Sequence, residues 1–503
     1  MKKFSFQNAK EVLENSKLLL KVSKLDGISV ELARPQNQVD RIQSGDIFIA
    51  FQGTKVDAHD FIARALNNGA KCLVVENEAK IPDSNTVPYF VVSDSRAAWS
   101  VLCALAYQNP EKKMKFYGVT GTDGKTSTVW MASQLVRLHS GRCLSIGTLG
   151  IFDGTSHWNI DHTTPDPPVF FSALENANNS GISSVIMEVS SHSLIQGKLQ
   201  NLNFDCAVFT SFTRDHLDFH KTIEEYWNAK SLLFTKHLTK NAKIIINDHV
   251  SKAFTKIKTQ SQNLWAYGLD HTDSQKNHVR ILECKPGENG QYIKFQIHEK
   301  TYEGEIPYLG THNAENFIAA LLIAKEILSF VPPKESWMKL LPVPGRCERI
   351  RGDFSAPKVF VDFAHTPDGL KTILRTLRTY TKGKLWIVFG CGGDRDHGKR
   401  PEMAKAAELS ADKLILSSDN PRTEDPQTIL DQMKTGLRSN SEAIAIVDRE
   451  KAIEFAISKA SLEDTILIAG KGHEAYQIIG DKKIPFSDQN LAMHYLKLFW
   501  GRK

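Results

Sequence analysis

The stretch FYGVTGTDGKTSTVWMASQL, residues 116–135, decides how this chain is expected to fold. KFYGVT (115–120) is typical of a buried strand, GTDG (121–124) of a tight turn, and KTSTVWMASQLVRLH (125–139) of a helix. The apolar positions of that helix are Val129, Ala132, Leu135, Val136 and Leu138. A strand, a glycine turn and a helix together direct backbone N–H groups at an anion. The stretch therefore predicts a nucleotide-phosphate loop, in which Lys125 reaches the outer phosphates and Thr126 offers its hydroxyl to Mg²⁺.

The loop departs from the commonest phosphate-binding pattern, G-x-x-x-x-G-K-[ST]. Val119 stands where that pattern has its first glycine, and glycines occupy positions 118 and 121 instead. A mechanical P-loop NTPase needs the strict pattern and a partner carboxylate, so this alternative is disfavoured. The nucleotide site is indicated, and the reaction stays open at this point.

Composition narrows the class of protein. The chain has 503 residues, 41% of them apolar and 24% charged, with a net charge of +6 and no long Lys/Arg run. Nucleic-acid binding is therefore not expected. The seven cysteines form no C-x-x-C pair, which favours a reduced compartment and neither a zinc site nor a disulfide framework. No signal peptide and no stretch of membrane-spanning length is recognised, so we expect a cytoplasmic protein without membrane insertion.

The order of predicted elements indicates an α/β fold with doubly wound, mostly parallel sheets, because apolar strands alternate with helical patterns throughout. The strand candidates are 46–51, 71–76, 115–120, 183–189, 206–211, 242–247, 358–363, 385–390, 413–418, 443–447 and 465–470. Proline-containing linkers at 108–115 and 330–346 suggest three domains: 1–112, 113–335 and 336–503. The middle domain carries the phosphate loop, the last is Rossmann-like, and the segment 271–305 is predicted to form short strands and turns inserted in the middle domain.

The loop GVTGTDGKTST resembles that of the Mur ligases and the folylpolyglutamate synthetases, with Asp123 where these enzymes usually have asparagine. Further motifs of the Mur ligases follow in order over nearly the whole chain. They are HTTPDP (162–167), MEVSSHSL (187–194), TRDHLDFH (213–220), EYWNAKSLLF (225–234), GTHNAENFIAAL (310–321), PGRCERI (344–350), VDFAHTPDGL (361–370), GCGGDRDHGKRPEM (390–403), SDNPRTEDP (418–426) and AGKGHEAYQ (469–477).

This resemblance implies an ATP-dependent ligase that forms an amide through an acyl phosphate. Within the family, the chain most resembles the members that add the third peptide residue to UDP-N-acetylmuramoyl-L-alanyl-D-glutamate during cytoplasmic peptidoglycan precursor synthesis. Its first domain would bind the UDP-sugar, its middle domain ATP, and its last domain the amino acid. Enzymes of this type are often monomers, and we expect the same here.

The resemblance also implies a set of nucleotide and metal residues. Lys125, Glu188, His216 and Lys230 are the implied catalytic residues, with Thr126, Glu188, His216 and a CO₂-derived carbamate on Lys230 around two Mg²⁺ ions. The implied ATP contacts are Gly121, Thr122, Asp123, Gly124, Lys125, Thr126, Ser127, Asn313, Asn316, Arg346, Asp362 and His365. Asn313 and Asn316 share a helix face, which suits hydrogen bonds to adenine.

The implied contacts to the UDP-sugar peptide include two departures from the family. The contacts are Thr54, Lys55, Val56, Thr163, Thr164, Ser190, Gln196 and Lys198. Lys198 stands where the family usually has arginine, so a point charge replaces a bidentate fork. Val39 stands where related ligases have a serine near the uridine, and we assign it no polar role.

The motif DNPR (419–422) indicates which amino acid is added. L-Lysine and meso-diaminopimelate differ by one carboxylate at the far end of the side chain, and an arginine binds a carboxylate bidentately. Arg422 matches the diaminopimelate-adding members, so we predict meso-diaminopimelate as the substrate and L-lysine as the alternative. The implied pocket is Arg395, Asp419, Asn420, Pro421, Arg422, Gly470 and Glu474.

Two further alternatives belong to other functional groups. A folylpolyglutamate synthetase would need neither the first domain nor DNPR. A regulatory nucleotide-binding protein without catalysis would not need Lys125, Glu188, His216 and Lys230 together.

Overall fold

The structure is a computed structural model that describes residues 1–503 except 24–29, 54–55, 83–86, 140, 161, 260, 262, 270–276, 288–289, 353–354 and 502–503. Three sheets dominate it, and they follow one another along the chain. Two small antiparallel pairs accompany them: Phe4–Ser5 with Glu31–Leu32, and Tyr476–Ile479 with Lys482–Pro485.

The first sheet has five strands within the described residues. In spatial order they are Leu19–Val22, Tyr89–Val92, Cys72–Val75, Ile47–Ile49 and Pro35–Gln36. The first pair is antiparallel and the others are parallel. The helices are Phe6–Asn15, Ile62–Asn67 and Ser95–Ala106. Asp94 caps the last of these helices: its carboxylate accepts hydrogen bonds from the N–H groups of Arg96 and Ala97 (both 2.9 Å).

The central sheet has eleven strands in the part of the chain that the structure describes. Their order is His157–Trp158, Gly150–Phe152, Leu144–Gly147, Ser184–Glu188, Lys115–Thr120, Phe204–Phe209, Leu238–Asn247, Asn263–Gly268, His278–Pro286, Gln291–Ile297 and Lys300–Ile306. The sheet is parallel from Leu144–Gly147 to His278–Pro286 and antiparallel at both ends. Its helices are Lys125–Leu138, Pro167–Asn179, Ser191–Ile195, Leu217–His220, Ile223–Lys236, Asp248–Phe254 and Thr311–Leu328.

The third sheet has six strands among the described residues, in the order Glu348–Ile350, Lys358–Asp362, Thr465–Ala469, Leu385–Phe389, Lys413–Ser417 and Ile444–Ile446. It is parallel apart from its first pair. The helices are Pro367–Arg378, Lys399–Glu408, Pro426–Lys434, Arg449–Lys459 and Asp488–Trp500. Short 3₁₀ turns occur at Val39–Arg41, Ala58–Phe61, Glu78–Lys80, Pro110–Lys113 and Lys334–Lys339.

The buried core explains why the strands are continuously apolar. The central strand Ser184–Glu188 contributes Val185, Ile186 and Met187, all fully buried, because helices cover both faces of the sheet. One apolar cluster continues from the first sheet onto the central sheet, whereas the third sheet has clusters of its own on each face. The carboxyl ends of the parallel strands, where ligands bind in such sheets, are therefore held on a rigid frame.

Most of the predicted elements are confirmed. Each strand predicted from the sequence is present, with its ends shifted by a few residues, and the α/β class is confirmed. The domain boundaries remain a prediction. Leu138 was expected on the apolar helix face but is 42% exposed, because it lies in the last turn, beyond the surface that the helix covers.

The segment 271–305 differs from its prediction. Its described part forms the three antiparallel strands from His278 to Ile306, which are nine, seven and seven residues long and extend the central sheet. The middle strand alternates buried and half-buried side chains, as expected when one face lies on the core. Among the described helices, none is both long and apolar enough to cross a membrane.

Candidate active site

The predicted phosphate loop joins the strand Lys115–Thr120 to the helix Lys125–Leu138. Gly121 and Gly124 have φ angles of 152° and 87°, and a Cβ on Gly124 would lie 2.4 Å from Asn316 Oδ1. Glycine is therefore required where the helix Thr311–Leu328 approaches the loop. Asp123 N–H donates to Ser211 Oγ (2.9 Å), and Thr122 Oγ1 donates to the Thr213 carbonyl (3.2 Å). The loop is thus held open by its neighbours.

Lys125 bonds only to its own loop among the described residues. Its Nζ donates to the carbonyl oxygens of Gly121 and Thr122, both at 2.8 Å. Burial lowers the pKa of Lys125. Thr126 and Ser127, next along the helix, are 5% exposed each. The Lys125 side chain is therefore held at the loop by backbone carbonyl groups.

Glu188 ends the strand Ser184–Glu188 and is 1% exposed. Its Oε2 accepts a hydrogen bond from Thr126 Oγ1 (3.1 Å), and its Oε1 accepts one from the Thr148 N–H (2.7 Å). Thr163 Oγ1 lies 3.2 Å from Thr148 Oγ1, and Thr164 Oγ1 donates to the Glu188 carbonyl (3.4 Å). The structure therefore brings Thr126, Glu188, Thr163 and Thr164 together. Sequence reasoning missed Thr148, whose Oγ1 also donates to Glu188 Oε2 (3.2 Å), because the two residues are 40 positions apart in the chain.

Lys230 lies on the helix Ile223–Lys236 and is 1% exposed. Its Nζ donates to the Gly121 carbonyl (2.7 Å) and lies 4.5 Å from the centre of the Tyr226 ring. No carboxylate of a described residue forms an ion pair with it. Burial, and secondarily the charge of Lys125, lowers the pKa of Lys230 well below its usual value. The side chain is therefore an amine that loses its proton readily, directly under the phosphate loop.

His216 and His365 both lie against Asp215. Sequence reasoning did not single out Asp215. His216 has a left-handed φ of 54°, and its Nε2 lies 3.5 Å from Asp215 Oδ2. Asp215 Oδ2 is 3.9 Å from His365 Nε2, and Asp215 Oδ1 is 3.4 Å from Lys399 Nζ. Burial opposes ionisation of Asp215, but the neighbouring His365, His216 and Lys399 hold its pKa below its usual range. Partial burial lowers the pKa of His216, so its imidazole is neutral at neutral pH.

The donor atoms around the loop are suited to a hard cation. In the residues that the structure describes, no group of three His, Cys, Asp or Glu side chains could hold a metal ion alone. The buried Glu188 carboxylate and the Thr126 hydroxyl, 3.1 Å apart, are oxygen donors beside the phosphate loop. Mg²⁺ binds through one or two carboxylates together with phosphates and water. The residues present therefore fit Mg²⁺ that arrives with a nucleotide.

A cavity of about 450 Å³ lies beside the loop at the predicted adenine residues. Asn313, Tyr308, Val343 and Phe360 line it, together with Arg346. Arg346 reaches Thr126 Oγ1 with Nη2 (3.4 Å) and stacks over the Phe363 ring (4.4 Å).

Of the other predicted nucleotide contacts, Asn316 and Asp362 are held by hydrogen bonds to their neighbours, and His365 lies against Asp215. Asn316 Nδ2 donates to Asn313 Oδ1 (3.3 Å). Asp362 accepts hydrogen bonds from the N–H groups of Cys347 (2.6 Å) and Ala364 (2.7 Å). Burial raises the pKa of Asp362, and Arg346 partly offsets this.

The residues predicted to bind the UDP-sugar peptide are only partly described. Ser190 caps the helix Ser191–Ile195, and Gln196 follows it. Lys198 Nζ forms an ion pair with Asp166 (2.7 Å). Val56 is 56% exposed, and Thr54 and Lys55 lie outside the described residues. Val39 packs partly against the apolar core of the first sheet, which explains an apolar residue there.

The predicted amino-acid pocket is a cavity of about 620 Å³ between the central and third sheets. His192, Asp215 and His216 line one side, and the opposite side contains Arg395, Asp419, Asn420, Arg422, Gly470 and Glu474. Pro421 stands behind this side, where its carbonyl oxygen would lie 1.9 Å from a Cβ on Gly393. A Cβ on Gly470 would lie 2.5 Å from Asp419 Oδ2, so glycine is required there for the carboxylate to approach. One cavity thus joins the predicted pocket to His216.

Buried ion pairs hold the loops of this pocket. Arg400, 1% exposed, forms a bidentate pair with Glu424 (2.8 and 2.9 Å) and also donates to the Gly392 carbonyl (3.1 Å). Arg449 and Asp488 are paired at 2.7 Å with fully buried side chains. Lys471 donates to Asn420 Oδ1 and to Glu474 Oε2, both at 3.0 Å. Sequence reasoning missed Arg400, Arg449 and Lys471, because each of them pairs with a residue that is distant in the chain.

A phosphate loop, a buried carboxylate beside it and a charged cavity between two parallel sheets define a nucleotide-dependent α/β enzyme. Three family domains match: the Mur ligase family catalytic domain over 40–107, the Mur ligase middle domain over 119–324 and the Mur ligase glutamate ligase domain over 345–472. The chain belongs to the Mur ligase family, and the resemblance stated from its motifs is confirmed.

Individual relatives extend over the same length. The UDP-N-acetylmuramoyl-L-alanyl-D-glutamate--2,6-diaminopimelate ligase of Clostridium tetani is 37% identical, over 97% of this chain and 99% of its own. A solved structure of a ligase with the same name is 31% identical with a TM-score of 0.67, covering 99% of both chains. The MurF ligase of Thermotoga maritima, solved with ADP, is 18% identical with a TM-score of 0.62, covering 88% of this chain and 94% of its own. That last similarity shows the shared fold alone.

Proposed function

We propose that this protein is the ATP-dependent ligase that adds meso-2,6-diaminopimelate to UDP-N-acetylmuramoyl-L-alanyl-D-glutamate. The observation that carries the proposal is the cavity of about 620 Å³, which places Arg422, Asn420 and Glu474 opposite His216 and Asp215. A cation and a carboxylate at one end suit a zwitterion, and His216 and Asp215 line the other end. The similarity to the 2,6-diaminopimelate ligase of Clostridium tetani supports the same reaction.

The nucleotide is ATP, held at both ends. The N–H groups of Gly121 to Ser127 and the Lys125 ammonium bind its phosphates, since the helix N-terminus and the open turn converge there. The cavity with Asn313 and Tyr308 receives the base, and Arg346 spans the distance between the two sites. Asp362 and His365 follow the strand Lys358–Asp362 on the ribose and phosphate side.

Two Mg²⁺ ions would be held by Thr126, Glu188, His216 and a carbamate on Lys230. Bound there, they would screen the negative charge of the γ-phosphate and of the substrate carboxylate. The lowered pKa of Lys230 supports the carbamate, because only a neutral amine attacks CO₂. The amine nitrogen forms the new bond to carbon and releases one proton, and the product is an anionic oxygen donor. The buried Gly121 carbonyl contact orients that nitrogen before the reaction.

The UDP-sugar peptide binds on the side of Thr163, Thr164, Ser190, Gln196 and Lys198. Ser100 Oγ, on a helix of the first sheet, donates to the Lys198 carbonyl (2.9 Å), so this surface continues onto the first sheet. The uridine lies at the loop of Thr54, Lys55 and Val56. We propose the domain limits 1–112, 113–335 and 336–503 for these three binding functions, in a monomeric cytoplasmic enzyme.

The amino-acid pocket favours diaminopimelate over L-lysine. We assign Arg422 and Arg395, which line the cavity, to the distal carboxylate, and Glu474 and Asp419 to the distal ammonium. The reacting amine would then lie near Asp215, whose carboxylate can accept a hydrogen bond from the amine as it attacks the acyl phosphate. Closure of the third sheet over the central sheet excludes water from that intermediate. The folylpolyglutamate synthetase alternative explains neither the first sheet nor Arg422.

Phosphate release tests this proposal directly. We expect ADP and phosphate to form only with ATP, Mg²⁺, UDP-N-acetylmuramoyl-L-alanyl-D-glutamate and diaminopimelate together. Lys125→Ala should lower the rate by about 10²–10³-fold, because the developing charge on the phosphates loses its cation. Lys115→Ala is the matched control, because Lys115 is an exposed lysine at the start of the strand that precedes the loop. Phosphate release that needs neither the UDP-sugar peptide nor the amino acid would refute the proposed ligase activity. A preference for L-lysine in direct competition would refute the assignment of diaminopimelate as the substrate.

A further inference from the structure

Lys471 is a fully buried lysine behind the amino-acid pocket. It follows the strand Thr465–Ala469, and its side chain has no exposed surface. Its Nζ donates to Asn420 Oδ1 and to Glu474 Oε2, both at 3.0 Å. A buried ammonium is costly unless it is paired and hydrogen-bonded, so these two contacts account for its position.

The two partners of Lys471 are residues of the predicted pocket, and Lys471 holds them in one orientation. Asn420 Nδ2 donates to Glu474 Oε2 (2.9 Å), and Asn420 Oδ1 also accepts the Ile478 N–H (2.9 Å). Glu474 Oε2 therefore accepts two hydrogen bonds, whereas no described residue donates to its Oε1. The Glu474 side chain is 20% exposed and lines the cavity, so one carboxylate oxygen remains available to a ligand.

Lys471 also decides the charge of this end of the cavity. Replacing Lys471 with an uncharged residue makes this end of the cavity more negative by one elementary charge, whatever the pairing of the other charged residues that line it. The nearby Arg449 and Asp488 form a buried pair that cancels within itself.

The net charge discriminates between ligands of different charge. A side chain that ends in both an ammonium and a carboxylate is neutral at that end, whereas one that ends in an ammonium alone is repelled by the positive charge of Lys471. We infer that Lys471 is a positioning and specificity-determining residue, which orients Glu474 toward the ligand ammonium and supplies the charge that disfavours a lone ammonium. This inference rests on the proposed function, and it adds a residue that lies behind the cavity wall and does not touch the ligand.

The test is the ratio of kcat/KM for meso-diaminopimelate to that for L-lysine in the full-length enzyme. Lys471→Met should lower this ratio by about tenfold, because the pocket loses one positive charge. The KM for ATP should not change. Lys471→Gln removes the charge but keeps a hydrogen-bond donor, so it should shift the ratio in the same direction even if the Met variant does not fold.

Lys243→Met is the matched control for the loss of a buried lysine. Lys243 is 4% exposed and donates to Glu326 (2.6 Å) in the central sheet, far from the pocket. Its replacement should lower the thermal stability and leave the ratio at the wild-type value. Only charge at the pocket, and not destabilisation in general, would then explain a shift.

The outcomes separate the two claims. A wild-type enzyme that prefers diaminopimelate, with folded Lys471 variants that keep the wild-type ratio, would overturn the role of Lys471 alone. A wild-type enzyme that prefers L-lysine or uses neither amino acid would overturn the proposed function, and this inference with it. A lowered ratio in the Met and Gln variants, with an unchanged ratio in Lys243→Met, would support the inference.

Discussion

The lysines at the phosphate loop and the lysine behind the amino-acid pocket are used in opposite ways. Lys125 and Lys230 donate only to backbone carbonyl oxygens of the loop among the described residues, and burial lowers the pKa of each. Lys471 is fully buried, but it bonds a carboxylate and an amide. Under the proposed function, the phosphate loop is the reacting region, whose lysines meet incoming phosphates or CO₂, and the amino-acid pocket is the recognition region, in which Lys471 is already paired. The same residue type is therefore proposed to serve catalysis where only backbone carbonyl groups contact it, and selectivity where a carboxylate and an amide contact it.

The largest expected effect concerns the reacting region. Lys230→Ala should reduce ligation by at least about 10²–10³-fold, because the carbamate that would bind the second Mg²⁺ cannot form. The protein should stay folded, as measured by circular dichroism. Removal of CO₂ from the buffer should lower wild-type activity, and bicarbonate should restore it.

Lys236→Ala provides the control for this change, since Lys236 is exposed at the end of the same helix. It should behave as wild type. Near-normal turnover of Lys230→Ala would show that the Lys230 amine at the phosphate loop is not needed for the reaction.

The next effect concerns the recognition region. Arg422→Ala should raise the KM for diaminopimelate by about 10²–10³-fold, since a carboxylate left unpaired in the pocket costs about 3–5 kcal/mol. The KM for ATP should stay within about twofold. Arg422→Lys should have a KM for diaminopimelate between those of the wild type and Arg422→Ala, because lysine keeps the charge but cannot bind the carboxylate bidentately. Steady-state kinetics measure all of these, with Arg438→Ala, which is paired with Glu408 elsewhere, as control.

A smaller effect is expected where the two regions meet. Lys399 Nζ lies 3.4 Å from Asp215 and joins the third sheet to the central sheet. Lys399→Met should raise the KM for diaminopimelate by roughly 3–10-fold, as expected for a partly screened ion pair. Phosphate release without product should increase, because the cavity closes less well. Unchanged coupling of phosphate release to product would show that this pair does not join the regions functionally, and Lys434→Met is the exposed control.

The smallest effect is on stability and pH. Hydrogen bonds from Arg400 lower the pKa of Glu424 from 4.5 to about 2. A carboxyl whose pKa is lower in the folded state stabilises the fold above its unfolded pKa, and that contribution is lost as pH falls from about 4.5 toward 2. Glu424→Gln should remove on the order of 1 kcal/mol at neutral pH and less at pH 3. A loss of equal size at both pH values in thermal melts would contradict this assignment.

Local patterns carried most of the predictions that hold. The phosphate loop follows from a strand, two glycines and a helix in immediate succession, and Glu188 follows from the motif MEVSSHSL (187–194) that the chain shares with the family. The DNPR motif directly follows the strand Lys413–Ser417, so its place at a carboxyl end was also predictable. The antiparallel strands between His278 and Ile306 were underestimated, because alternating half-buried residues give a weaker signal than continuous apolar runs.

The sequence by itself determined the α/β class, the phosphate loop, the family and the motif that points to the amino acid, because each depends on residues close together in the chain. Only the tertiary structure placed Asp215 against Lys399 and His365, and Lys471 against Asn420 and Glu474. The first pairing joins residues 184 positions apart, and the second joins residues 51 positions apart. Such pairings depend on which strand ends the sheets bring together, and the energy of a buried charge is set by those distant partners.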